Sequence, residues 1–132
     1  MEKTKAIIES LDNFGFTGED NFDKSNFNIE SLTKVRCVIK DNLQPTKSFP
    51  KPEGYVRAKQ LRNLVLTYLS TNDSKFYVTT GLFIYAMYLE GYMIRQVSYR
   101  NKGRLIKDKS VYFNVSLRSI RNFIKKYNLE NR

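Results

Sequence analysis

The sequence predicts a small α+β domain in which helices surround one apolar core segment and a β-hairpin follows it. Three observations predict this. Residues 76–94 contain the longest unbroken apolar run, the eight residues Leu82 to Leu89. The flanking stretches 55–69 and 117–127 repeat apolar residues at the spacing of one helix face. Residues 93–99 and 110–115 are rich in β-formers, and the polar stretch between them contains Asn101 and Gly103.

The central segment sets the core. Thr79 and Thr80 carry hydroxyls able to accept from the first free N–H groups of a helix, and Gly91 stands where a left-handed cap ends one. The expected helix, residues 81–90, is apolar on nearly every side and must be covered all round. Tyr85, Tyr88 and Tyr92 fall near helical spacing, which reads as core packing with hydroxyls at the rim rather than as a platform for bases.

Before this segment the signals are weaker. Residues 4–13 are expected to form a short helix with Ile7, Ile8 and Leu11 on one side, which needs a docking surface. Residues 14–28 read as a loop anchored by Phe14, Phe16, Phe22 and Phe27. Asn28 is placed to cap a helix over residues 29–42, with Ile29, Leu32, Val35 or Arg36, Ile39 and Leu43 near its apolar face. The piece KVRCVIK within it also alternates like a strand; the helix is preferred. Cys37, the single cysteine, cannot form an internal disulfide and reads as a small buried hydrophobe. Pro45, Pro50 and Pro52 then stiffen a connector over residues 43–54, which divides an N-terminal arm or helical extension (1–54) from a basic α+β domain (55–132).

After the connector, Ala58, Leu61, Leu64, Val65, Tyr68 and Leu69 share a helix face. Arg57, Lys59 and Arg62 take the remaining surface, and residues 71–73 end the helix. Residues 76–78 are expected to form a short strand. The hairpin strands are expected at 93–99 and 110–115 with a long basic tip between them. Ser116 caps a last helix, Leu117–Tyr127, whose apolar face is Leu117, Ile120, Phe123, Ile124 and Tyr127. The order of helix, strand, core helix, hairpin and helix loosely resembles a winged-helix module in architecture. A helix-turn-helix needs a second, exposed helix before the wing, and the helix at 81–90 is too apolar to face bases.

Charge is uneven. The chain carries a formal net charge of +10, divided as −1 over residues 1–54 and +11 over residues 55–132. A one-sided positive field favours a polyanion: nucleic acid, an anionic surface or an acidic protein. The sharpest concentration is Arg95, Arg100, Lys102, Arg104, Lys107 and Lys109, opposed only by Asp108, with Tyr99 beside them. These cations suit phosphates, and a tyrosine suits an unpaired base. Arg118, Arg121 and Lys125 extend the track along the last helix. The bland reading of both groups is a solvated turn and an ordinary exposed helix face.

Chemistry of the enzymatic kind has no support in the sequence. There is no histidine, no cysteine cluster and no phosphate-binding glycine loop, so neither a catalytic residue, a metal site nor a cofactor is expected. Glu19, Asp20 and Asp23 lie in an Asn-rich stretch and read as solvation. No leader peptide or membrane span is expected. These observations point to a non-enzymatic nucleic-acid-binding module in the cytoplasm or within a virus particle. The alternative is an assembly protein of a virus or phage particle that uses its N-terminal segment as an arm, and a third possibility is a small inhibitor of an acidic partner.

Overall fold

The structure, a computed structural model, describes residues 29–51, 54–70 and 78–131, with the side chains of 54, 97–101, 105–110 and 131 excepted. The expected helix at 4–13, the phenylalanine loop, the Asn28 cap, the acidic stretch 19–23 and the residues 71–77 lie outside the described residues.

Helix α1, Ile29–Asn42, buries Val35, Val38 and Ile39, the i, i+3, i+4 pattern of one helix face. Leu43 continues the same face. Two expectations are corrected here. Ile29 is 78% exposed rather than part of the apolar face. Cys37 is exposed rather than buried, because in a helix residue 37 points away from the side shared by 35, 38 and 39.

The chain beyond α1 is held rather than loose. The Thr46 N–H donates to the Asn114 carbonyl at 2.7 Å, and the Ser116 N–H donates to the Gln44 carbonyl at 2.8 Å. Pro45 sits between them opposite Val115, the position in this short pairing that requires no donor from it. Val35, Val38, Ile39 and Leu43 therefore share one core with Leu61, Phe83, Phe113 and Phe123. The step in charge at residue 54 is not a step in packing.

A 3-10 turn, Gly54–Val56, leads into helix α2, Ala58–Ser70, which buries Ala58, Leu61, Leu64 and Val65. Its half-buried Tyr68 meets Phe123 and Tyr127 at ring separations of 5.4 and 4.6 Å. The Arg62 guanidinium donates to the Val78 carbonyl at 2.9 Å, which fixes the entry to helix α3, Thr80–Leu89. Thr79 caps α3, its hydroxyl accepting from the Leu82 N–H at 3.2 Å. Gly81, Leu82, Phe83, Ile84, Ala86 and Met87 are buried, so α3 is covered on nearly every side. Gly91, at φ +89, turns the chain out of the helix. Glu90 pairs with Arg36 at 2.7 Å and ties the end of α3 to α1.

Strands β1, Ile94–Asn101, and β2, Arg104–Phe113, form an antiparallel two-stranded sheet. The long tip expected between the strands is corrected to a turn of two residues, Lys102 at φ 52 and Gly103 at φ 80. Positive φ at both central residues gives a turn whose twist matches that of the flanking strands. Pairing satisfies the backbone polar groups whatever the side chains are, so residues 100–101 and 104–109, of which only Leu105 and Ile106 are apolar, still form strand. The register shifts once, with one β1 residue between Gln96 and Ser98 set against three of β2, a bulge that bends the ribbon.

Helix α4, Leu117–Tyr127, begins at the Ser116 cap, whose Oγ accepts from the Ser119 N–H at 3.2 Å. It ends at Asn128 in the left-handed conformation. Ser119, Ile120 and Phe123 face the core, while Leu117, expected on that face, is 45% exposed. A final 3-10 turn, Leu129–Asn131, buries Leu129. The described residues thus form four helices and one hairpin, an α+β domain.

Candidate nucleic-acid interface

The root of the hairpin is built from cations and rings. Arg95 on β1 is opposite Tyr112 on β2, and Tyr112 is bridged on its other side by Arg57. Residues directly opposite in antiparallel pairing lie on one face of the sheet. Phe49 covers this face. Its ring meets Tyr112 edge-on, with centroids 5.3 Å apart and planes at 75°, and the Arg95 guanidinium lies 4.1 Å from the Phe49 centroid. Tyr112 is buried and Arg95 is exposed. The lacing of residues 44–46 to 114–116 places Phe49 here.

The far end of the hairpin carries Lys102 and Arg104, both exposed. Seven residues of strand, at about 3.3 Å each, put Lys102 about 23 Å along the ribbon from Arg95. Tyr99, Arg100, Lys107 and Lys109 all lie on strand backbone between them. The pairs Ser98↔Lys107 and Arg100↔Leu105 assign residues 100 and 107 to one face of the ribbon. Tyr99↔Ile106 and Asn101↔Arg104 assign 99 and 104 to the other. The expected cluster is thus divided between positions on both faces of a ribbon whose root residues Ile94, Val111 and Phe113 are buried.

Arg118, Arg121 and Lys125 are exposed on α4, at the spacing of one helix face. The Arg121 Nε–H donates to its own helix at the Leu117 carbonyl, at 3.5 Å. Arg118 borders a shallow cleft of about 170 Å³ shared with Lys40, Asn42, Gln44 and Asn122. Helix α4 packs on α1 and the two 3-10 turns. The structure therefore gathers Arg95, Lys102 and Arg104 on one ribbon and sets the α4 cations on a separate element.

Phe49 is the residue that sequence reading missed. It stands between Ser48 and Pro50 in a stretch read as a spacer, and the available signal was an aromatic ring isolated in a polar segment. Tyrosines near the core are shifted by their surroundings. Burial, then the nearby Glu90 charge, raises the Tyr92 phenol well above its usual value. Burial and the Glu130 carboxylate, 3.1 Å from its hydroxyl, raise Tyr55.

Among the described residues no group of three His, Cys, Asp or Glu is placed to hold a metal ion, and no helix is long and apolar enough to cross a membrane. Cys37 opens on a cleft of about 220 Å³ bordered by Thr33, Arg36, Lys40 and Glu90. No family model, curated protein or solved structure matches this chain.

Proposed function

We propose that this chain is a non-enzymatic nucleic-acid-binding module that holds a phosphate backbone along its basic hairpin. The observation that carries the reading is the two-residue turn, which sets Lys102 and Arg104 exposed at the end of a ribbon rooted in the core. A two-stranded ribbon has the width to enter a nucleic-acid groove, and its exposed cations Arg95, Lys102 and Arg104 suit contacts to phosphates. The net charge of +10 adds a long-range attraction. Arg118, Arg121 and Lys125 offer a second contact for a longer strand. Binding of this kind is sensitive to salt and tolerant of sequence.

The test is a titration of the full chain against duplex DNA, single-stranded DNA and RNA at two salt concentrations. Lys102→Glu with Arg104→Glu should weaken binding at least ~10-fold at low salt and flatten the salt dependence by about two phosphate contacts. Unchanged binding by the reversed variant would refute the reading.

One observation favours a second reading, an assembly protein of a virus or phage particle. The exposed Leu117 lines an apolar groove of about 450 Å³ with Ile120, Ile124 and Tyr55, a surface suited to a protein neighbour. Light scattering of the purified chain against Leu117→Lys checks it. Self-association lost in the variant supports assembly, and a monomer in both removes its support.

A further inference from the structure

We infer that the Arg95–Phe49 stack is a subsite for an unpaired nucleobase, so that single-stranded nucleic acid is the preferred ligand of this surface. The inference rests on the proposed phosphate-binding role of the hairpin and adds the feature that separates strand types.

A guanidinium is planar and delocalised, and it stacks on rings through its face. At 4.1 Å from the Phe49 centroid, Arg95 has a ring against it on one side. Arg95 is exposed, so the stack has a solvent side on which a base can lie. Such a base completes a stack of base, guanidinium and phenyl ring, and stacking on arginine planes and aromatic rings is how unpaired bases are commonly held. In a duplex the base faces are already covered by their neighbours, so the stack offers a duplex only its charge.

The platform is fixed before any ligand arrives. Phe49 is braced edge-on by Tyr112, which is itself buried. The segment leading to Phe49 is tied down by the Thr46 and Gln44 backbone bonds and by the Asn114 side chain, whose Nδ2–H donates to the Thr46 carbonyl at 2.7 Å. A braced platform loses little freedom on binding. Arg57 stands in register on the far side of Tyr112, and the ribbon cations continue from Arg95 toward Lys102 and Arg104. One stacked base followed by a run of phosphates describes a short, unpaired strand. Every base has a π-face, so the subsite tolerates any sequence.

The experiment uses the full chain and a 12-mer single strand carrying one 2-aminopurine, whose emission falls when it stacks, beside the same sequence as a duplex. The expected results are tighter binding of the single strand by at least ~10-fold and quenching of the 2-aminopurine on binding. Arg95→Lys keeps the charge and removes the plane. It should lose about five- to a hundredfold in single-strand affinity and lose the quenching, with a smaller loss in duplex affinity because the charge is kept. Urea unfolding of the variant checks that it is folded, and Phe49→Leu provides a second variant of the same stack. Equal affinity for both strand types, or full quenching by Arg95→Lys, overturns the stacking inference. If the Lys102 and Arg104 reversal still weakens binding in that case, the phosphate reading stands alone. Absence of binding to either strand overturns both.

Discussion

Asn114 offers the most direct check on how the hairpin root is held. It is 4% exposed, and its side chain makes two bonds between separate parts of the chain. Its Oδ1 accepts from the Met93 N–H at 2.7 Å, just before β1. Its Nδ2–H donates to the Thr46 carbonyl at 2.7 Å, in the segment that carries Phe49. Asn114→Ala removes both bonds and strands a backbone donor and a backbone acceptor in a poorly hydrated place. Each stranded group costs about 1–3 kcal/mol. Because the two share one side chain and some water enters, the expected total is about 2–4 kcal/mol. For a domain of this size that lowers the melting temperature by roughly 10 °C. Urea unfolding followed by far-ultraviolet circular dichroism measures it, tryptophan being absent. Asn114→Asp should be worse at neutral pH, since it keeps the acceptor for Met93 but turns a second oxygen toward the Thr46 carbonyl. A loss below about 0.5 kcal/mol for Asn114→Ala, with an unchanged denaturant slope, would refute the argument that this side chain pins the two segments together.

Four further outcomes are expected. Lys102→Asn should raise stability by up to about 0.5 kcal/mol, because asparagine tolerates the positive φ of 52 better than lysine does. It should also weaken nucleic-acid binding, so that urea midpoint and affinity move in opposite directions. Gly103→Ala, at φ +80, should cost about 1 kcal/mol. Tyr92 gives a pH signature: its folded phenol ionises above the ordinary value of 10.0, so above pH 10 the unfolded chain releases a proton that the folded chain keeps. Stability then falls with rising pH by up to about 1.4 kcal/mol per unit from this group, and Tyr92→Phe should flatten that fall in urea titrations between pH 9 and 11. Glu90→Gln removes the charge from the pair with Arg36, whose partner side chains are 43% and 14% exposed for Arg36 and Glu90. The expected cost is about 1 kcal/mol in dilute buffer and less in 1 M salt, since the arginine end is open to screening.

Local signals were the legible ones. Ser116 and Thr79 were readable as caps because a cap depends on a hydroxyl and the three residues after it. The α2 face was readable because Ala58, Leu61, Leu64 and Val65 repeat without a competing period. The segment KVRCVIK carries two periods at once, and the placement of Cys37 in the core belongs to the strand period rather than the helical one that forms. The hairpin was found, but its tip was misjudged. Polar residues such as Asn101 and Arg104 read as loop, while the turn is decided by Lys102 and Gly103 alone. The Phe49 platform was beyond sequence reading for another reason. It depends on contacts between residue 49 and residues 95 and 112, and nothing local to a proline-rich stretch records which distant ring it will meet.

The pairing of residues 44–46 with 114–116 also governs when the fold can form. Gln44 and Ser119, 75 positions apart in the sequence, meet at 3.2 Å, and Thr46 and Asn114 are 68 positions apart. Closing loops of that length is the slow part of folding, because the chain gives up freedom before any contact compensates for it. Helix α1 packs on α3 and α2 as well as on α4, so part of its apolar side stays uncovered until residues 114–127 have been synthesised. A chain growing from its N-terminus should stay protease-sensitive, and in need of chaperone cover, until α4 arrives. Folding should then complete in one late, cooperative step rather than element by element.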